Sequence, residues 1–172
     1  MSRARNNRGF TLVELMVVIS LLAIMAFIAV PNFTQLVRNN QVQAKAEELK
    51  TFLVMARTEA VNWRTTIDLD LAASDTWQAK RPSKNDQLLR KIELPQVPMK
   101  AVATDASGTA ITELTYLPSG TASGAARFTV CYDEDAVNGF LITVQPNGSV
   151  RLHPRGKDVD ASNNPITLAS CE

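Results

Sequence analysis

Residues 12–30 hold one charge, Glu14, and one hydroxyl, Ser20, in nineteen positions. The stretch is apolar all round. At about 1.5 Å per residue a helix of this length spans roughly 28 Å, close to the hydrocarbon thickness of a bilayer. Pro31 interrupts the pattern. It lacks an N–H and its ring crowds the carbonyl of Phe27, which predicts a kink or local melting. Apolar residues then return at three- and four-residue spacings, at Leu49, Phe52, Leu53, Ala56, Ala60 and Val61. Lys45, Glu47, Glu48, Lys50, Arg57 and Glu59 take the other face. One helix over residues 10–61 would run about 78 Å unbroken, too long for a domain of this size to bury throughout. Its first half calls for lipid or a bundle of like helices, its second half for a sheet.

Beyond Trp63 the period changes from helical to alternating. Residues 66–71 alternate apolar and polar, and residues 76–80 supply a hairpin partner across 72–75. Residues 88–94 and 97–103 are strand candidates separated by Pro95 and Pro98, and 111–117 stops at Pro118. Residues 126–132 and 139–145 read as one hairpin. Pro146, Asn147 and Gly148 form a tight turn into 149–152. The expectation is about six or seven short strands in one sheet or two small ones over the helix stripe, an α+β architecture.

The first nine residues, MSRARNNRG, carry Arg3, Arg5 and Arg8 and no acid. A secretory signal peptide has this outline, with an apolar core of about 7–15 residues and a small-residue cleavage site. Here Ala26, Phe27, Ile28 and Ala29 make a poor site, and the apolar run is long. A plain single-pass anchor leaves Glu14 unexplained. A carboxylate at the centre of a membrane helix costs about 2.5–3.5 kcal/mol on insertion scales, and less near the edge. Glu14 calls for a cation in the same layer.

Arg8-Gly9-Phe10-Thr11-Leu12-Val13-Glu14-Leu15 resembles the class III leader of type IV pilins and type II secretion pseudopilins. The resemblance implies that a membrane aspartyl protease, the prepilin peptidase, cuts between Gly9 and Phe10 and methylates the new Phe10 amine. Glu14 then becomes the acidic fifth residue, which in that family pairs with the N-terminal amine of a neighbouring subunit. It implies the type IV pilin fold, with a long helix kinked at Pro31 on an antiparallel head. The chain then divides into a leader (1–9), a transmembrane and assembly half-helix (10–31), an amphipathic half-helix (32–62) and a periplasmic β-rich head (63–172). Leu117-Pro118-Ser119-Gly120, Phe128-Thr129-Val130-Cys131 and Pro146-Asn147-Gly148-Ser149-Val150-Arg151 are similar to heads of the GspH/FimT type, a branch that includes FimU-type minor pilins. On that resemblance the chain is a minor pilin. It waits in the inner membrane with its N-terminus cytoplasmic and then enters the filament or its tip. With other minor pilins and the major pilin it primes or caps a type IV pilus serving twitching motility or adhesion. A minor pseudopilin of type II secretion and a FimT-like DNA-binding pilin of natural transformation are the alternatives.

A basic leader in the cytoplasm puts the head in the periplasm, an oxidising compartment. There Cys131 and Cys171 are expected to form a bridge rather than to remain two buried thiols. A bridge would close a loop of about 40 residues, worth at most about 4 kcal/mol, and would tie the polar tail to the sheet. No C-x-x-C is present to suggest redox catalysis. The formal charge is +1; without the three leader arginines, fifteen basic side chains face seventeen acidic ones, a balance of −2. This does not describe a generally basic nucleic-acid binder. Arg151, His153, Arg155 and Lys157 lie close together, and alternation would place the first three on one side of an extended segment. FimT-type relatives bind DNA through a Gly-Arg-x-Arg motif; here the place reads Gly148-Ser149-Val150-Arg151, without the first arginine, and Asp158 and Asp160 dilute the patch. Arg151, Arg155 and Lys157 are therefore candidate DNA contacts, set against a solvated turn.

His153 is the single histidine, beside Pro154, and is expected in a surface loop. One histidine excludes a histidine-built metal cluster and leaves a Ser-His-Asp triad one candidate base. No phosphate-binding glycine loop is present. Asp133-Glu134-Asp135 with Asn138-Gly139 has the composition of a calcium loop but not the EF-hand spacing, and reads as a hairpin tip. Asp68 and Asp70 are expected to face water. Neither catalysis, cofactor nor metal is expected.

Overall fold

The computed structural model describes residues 10–159 and 164–171. Gly9, the leader arginines and Asp160 lie outside the described residues. Helix α1 spans Leu12–Trp63. Thr11 starts it: its carbonyl accepts from the Leu15 N–H at 3.2 Å and its Oγ1 from the Glu14 N–H at 3.2 Å. Thr11 and Glu14 thus hold the N-cap and third helical positions, the spacing of a capping box. The helix continues through Pro31, so the proline does not melt it. Nearby, Asn32 Nδ2 donates to the Ile28 carbonyl at 3.1 Å and Thr34 Oγ1 to the Pro31 carbonyl at 2.8 Å.

The chain divides into two compact units, one ending at Arg38 and the other covering Asn39–Glu172. In the first, every described apolar side chain from Phe10 to Val37 is exposed. In the second, α1 buries Val42, Ala46, Leu49, Phe52, Leu53, Ala56 and Ala60. The stripe begins earlier than the sequence pattern suggests and omits Val61, which is 45% exposed. Successive helical residues are about 100° apart, so Ala60 and Val61 cannot both face the sheet. Val61 falls instead in line with exposed Val54, two turns back. The helix ends at Arg64, whose φ of 49° is left-handed, with the Thr65 N–H bonded back to the Ala60 carbonyl at 3.2 Å.

The described residues of the head form ten strands, all paired antiparallel. β1 (Ile67–Asp70), β2 (Thr76–Arg81), β3 (Gln87–Glu93) and β5 (Glu113–Tyr116) form one sheet in the order β3-β2-β1-β5. β4 (Met99–Asp105), β6 (Ala126–Tyr132), β7 (Phe140–Val144) and β8 (Val150–Leu152) form a second, β4-β6-β7-β8. β9 (Lys157–Val159) and β10 (Pro165–Thr167) make a two-stranded ribbon. The expected hairpins β1–β2 and β6–β7 are present. The ribbon was not foreseen, because three-residue strands in a polar tail carry no readable alternation.

Both four-stranded sheets feed one core with the amphipathic part of α1. Trp77 on β2 meets Phe128 on β6 edge-on, with ring centroids 5.6 Å apart, so an aromatic pair bridges the sheets. Cys131, buried near the end of β6, is bonded to Cys171, their Cα atoms 6.0 Å apart. The tail is held further by buried Leu168, whose N–H donates to the Gly156 carbonyl at 3.0 Å. Replacing both cysteines by serine should lower head stability by about 2–4 kcal/mol. Denaturant titration would check this, and reductant should bring the native chain to nearly the same midpoint.

Candidate assembly helix and head surface

The capped start of α1 is the first candidate site. Glu14 lies in the opening turn, where the positive end of the helix dipole favours a carboxylate. Phe10 immediately precedes cap residue Thr11 and is exposed. Below them the helix qualifies by length and composition to cross a membrane, with a mean hydropathy of 2.7 over its most apolar window and none of that window buried. The arrangement sets one acid at the edge of an otherwise apolar surface.

The second feature joins sequence segments far apart. Arg57 leaves α1 and donates from Nε to the Gly120 carbonyl at 2.9 Å and from Nη2 to the Asn147 carbonyl at 3.3 Å. One guanidinium thus clamps the Leu117-Pro118-Ser119-Gly120 turn and the Pro146-Asn147-Gly148 turn, the two motifs singled out in the sequence. Gly120 and Gly148 both have positive φ, 81° and 76°. A Cβ on Gly148 would fall 1.8 Å from the Gly120 carbonyl oxygen, and one on Gly120 would fall 2.9 Å from Val61 Cγ2. Glycine is required here because the turns touch backbone to backbone. Pattern reading placed Arg57 on the solvated face and missed its role; the paired glycine turns were the available signal.

The basic residues near the C-terminus form the predicted row only in part. Arg151 is exposed on β8, opposite Thr143. Arg155 is partly buried, with its guanidinium 5.5 Å from the Phe140 ring centroid. Lys157 is exposed on β9, opposite Thr167. Asp158 pairs with Arg127 at 2.6 Å. His153 corrects the surface-loop expectation: it is 5% exposed, its N–H donates to the Leu141 carbonyl at 2.8 Å, and its Nε2 is 2.9 Å from Thr143 Oγ1. Thr143 is also the residue opposite Arg151, so His153 lies on the same face of the sheet as Arg151 but is buried where Arg151 is exposed.

Burial pushes the His153 imidazole below its ordinary pKa, Arg151 and Arg127 add to this, and Asp158 opposes it. The unfolded chain then binds the proton first. Stability is full above about pH 6.5 and is lost as pH falls below that value toward the lowered folded-state pKa. His153→Gln should flatten the fall in melting temperature between pH 7 and pH 5.

The acidic hairpin tip is a capped turn. Asp135 Oδ1 accepts from the Val137 and Asn138 N–H groups at 3.1 and 3.3 Å, and its Oδ2 accepts from Asn138 Nδ2 at 2.7 Å. Glu134 pairs with Lys100 across the sheet edge at 2.5 Å, which holds its carboxyl below the ordinary range. Asp68 accepts from Thr115 Oγ1 at 2.8 Å, and Asp70 pairs with Lys80 at 2.8 Å, a contact that lowers its pKa. Both are partly buried and partnered, rather than simply solvated. Among the described residues no group of three or more His, Cys, Asp or Glu side chains is placed to hold a metal ion.

Residues 45–171 match the family "Type II transport protein GspH". The chain belongs to the GspH family. Residues 4–30 also match the prokaryotic N-terminal methylation motif, which covers Gly9, Phe10 and Glu14. This GspH-family chain has the type IV pilin fold. The minor pilin FimU of Pseudomonas aeruginosa superposes with a TM-score of 0.61 at 22% identity, over 77% of this chain and 96% of that one. The minor pseudopilin EpsH of the type II secretion system of Vibrio cholerae superposes with a TM-score of 0.57 at 13% identity, over 70% of this chain and 98% of that one. A sequence relative, the type IV major pilin protein PilA of Myxococcus xanthus, is 49% identical over 47 residues. That match covers 27% of this chain and 20% of PilA, so the likeness is confined to a short segment. The family is GspH, and the fold is the one that these minor pilins and pseudopilins share.

Proposed function

We propose that this chain is a minor pilin that helps prime or cap a type IV pilus, within a complex of other minor pilins joined to the major pilin. The observation that carries the reading is the register of Gly9, Phe10 and Glu14 against an exposed apolar helix, in a chain with a GspH-type head. Prepilin peptidase cuts after Gly9 and methylates Phe10. Until assembly, α1 holds the subunit in the inner membrane with the head in the periplasm. The freed Phe10 amine and Glu14 then find opposite charges on neighbouring subunits in a layer of low dielectric, where an unpaired charge is costly. No bond of a substrate is made or broken; the work is assembly.

The mass of the native protein tests the first step. The reading expects a chain starting at methylated Phe10, and an intact arginine-bearing start or a mature end beyond Ala29 would overturn it. Membership of the GspH family and the likeness to EpsH favour a second reading, a minor pseudopilin of type II secretion. Co-purification separates the two: pilus subunits as companions support the first, secretion pseudopilins the second.

A further inference from the structure

β8 is the last strand of its sheet, and the backbone bonding shows which of its groups face outward. The Gln145 N–H donates to the Ser149 carbonyl at 3.0 Å and the His153 N–H to the Leu141 carbonyl at 2.8 Å. Hydrogen-bonded pairs alternate along an antiparallel ladder. With Val144 opposite Val150, Thr143 opposite Arg151 and Ile142 opposite Leu152, the central pair is the bonded one. The N–H and C=O groups of Val150 and Leu152 therefore point away from β7.

Beside this edge lies a groove of about 390 Å³ lined by Val54, Arg57, Thr58, Val61, Ser149 and Val150 among others. Val54 and Val61 are 42% and 45% exposed. Arg57 is the charged lining residue, and its two clamp bonds use Nε and Nη2 but not Nη1, so its guanidinium keeps donor capacity for an anion. Val150 of the edge lines the groove together with an apolar strip, Val54 and Val61, and a cation without an acid among the lining residues.

We propose that the β8 edge accepts an extended segment from the head of a neighbouring pilin-class subunit. That segment adds as a fifth strand, with small apolar side chains against Val54 and Val61 and a carboxylate toward Arg57. Backbone bonds would supply affinity, and the valine strip and Arg57 the choice of partner. The inference rests on the assembly reading above.

Residue-resolved hydrogen exchange on the full chain, in detergent before assembly and in sheared filaments after it, tests the proposal. The Val150 and Leu152 amides should exchange freely in detergent and slow at least tenfold in filaments, with Arg151 slow in both. Val150→Pro removes an outward N–H that β7 does not use, a change that edge strands tolerate. It should leave the Cys131–Cys171 bond and melting temperature nearly unchanged while lowering incorporation at least tenfold. Slow Val150 and Leu152 amides in detergent, unchanged exchange in filaments, or normal incorporation of a folded Val150→Pro chain would each overturn the edge assignment alone. A chain that never enters filaments, its edge amides fast throughout, would overturn the assembly reading and this inference with it.

Discussion

Glu14→Ala is expected to leave the chain processed and held in the membrane but to reduce its entry into filaments by about a hundredfold. The size follows from what remains behind. Without the carboxylate, the amine of an adjoining subunit enters the apolar bundle uncompensated. Removing one partner of a buried charge pair costs about 3–5 kcal/mol, and each 1.4 kcal/mol is about a factor of ten in an equilibrium. Membrane insertion should not suffer, because alanine removes the one charge from an otherwise apolar span. Immunoblots of sheared filaments and membranes would give the ratio directly. Glu14→Asp should recover part of the loss, since charge is kept and reach shortened. Equal incorporation of Glu14→Ala and the native chain would remove the charge pair from the mechanism.

Gly148→Ala should be among the most damaging single changes in the head, lowering stability by about 3 kcal/mol or more. Two costs add. A φ of 76° costs an L-residue about 1–2 kcal/mol. The new Cβ would also stand 1.8 Å from the Gly120 carbonyl oxygen and 3.0 Å from Arg57 Nε, so one turn must move and the clamp must open. Gly108→Ala is the matched control: its φ of 87° carries the conformational cost, but no heavy atom lies within 4 Å of its added Cβ. Thermal melts of the pair should separate steric from conformational loss, with Gly148→Ala clearly the lower.

Much of this architecture was legible because two periodicities dominate the chain. The apolar run, the stripe from Leu49 to Ala60 and the strand alternations each repeat often enough to survive local exceptions. The N-terminal methylation motif over residues 4–30 was legible for another reason: its residues are contiguous. What escaped detection is long-range or very short. Arg57 resembles any solvated helix cation until the turns at Gly120 and Asn147 are brought to it. His153 beside Pro154 reads as a loop residue, yet its backbone N–H bonds to Leu141 and its ring reaches Thr143 Oγ1, which holds the ring inside. The predicted row of Arg151, His153 and Arg155 is not continued to Arg155 because β8 ends at Leu152, so alternation does not extend through Pro154. Val61 failed by one helical step.

The Arg57 bonds span 63 and 90 residues of sequence. The loop-closure entropy of such distant partners must be met before their contact returns any stability. The β1–β2 and β6–β7 hairpins close over short loops and form without it. The Arg57 bonds are therefore expected to form later on the folding route than these hairpins. Once set, they act as a latch between the helix and the two glycine turns.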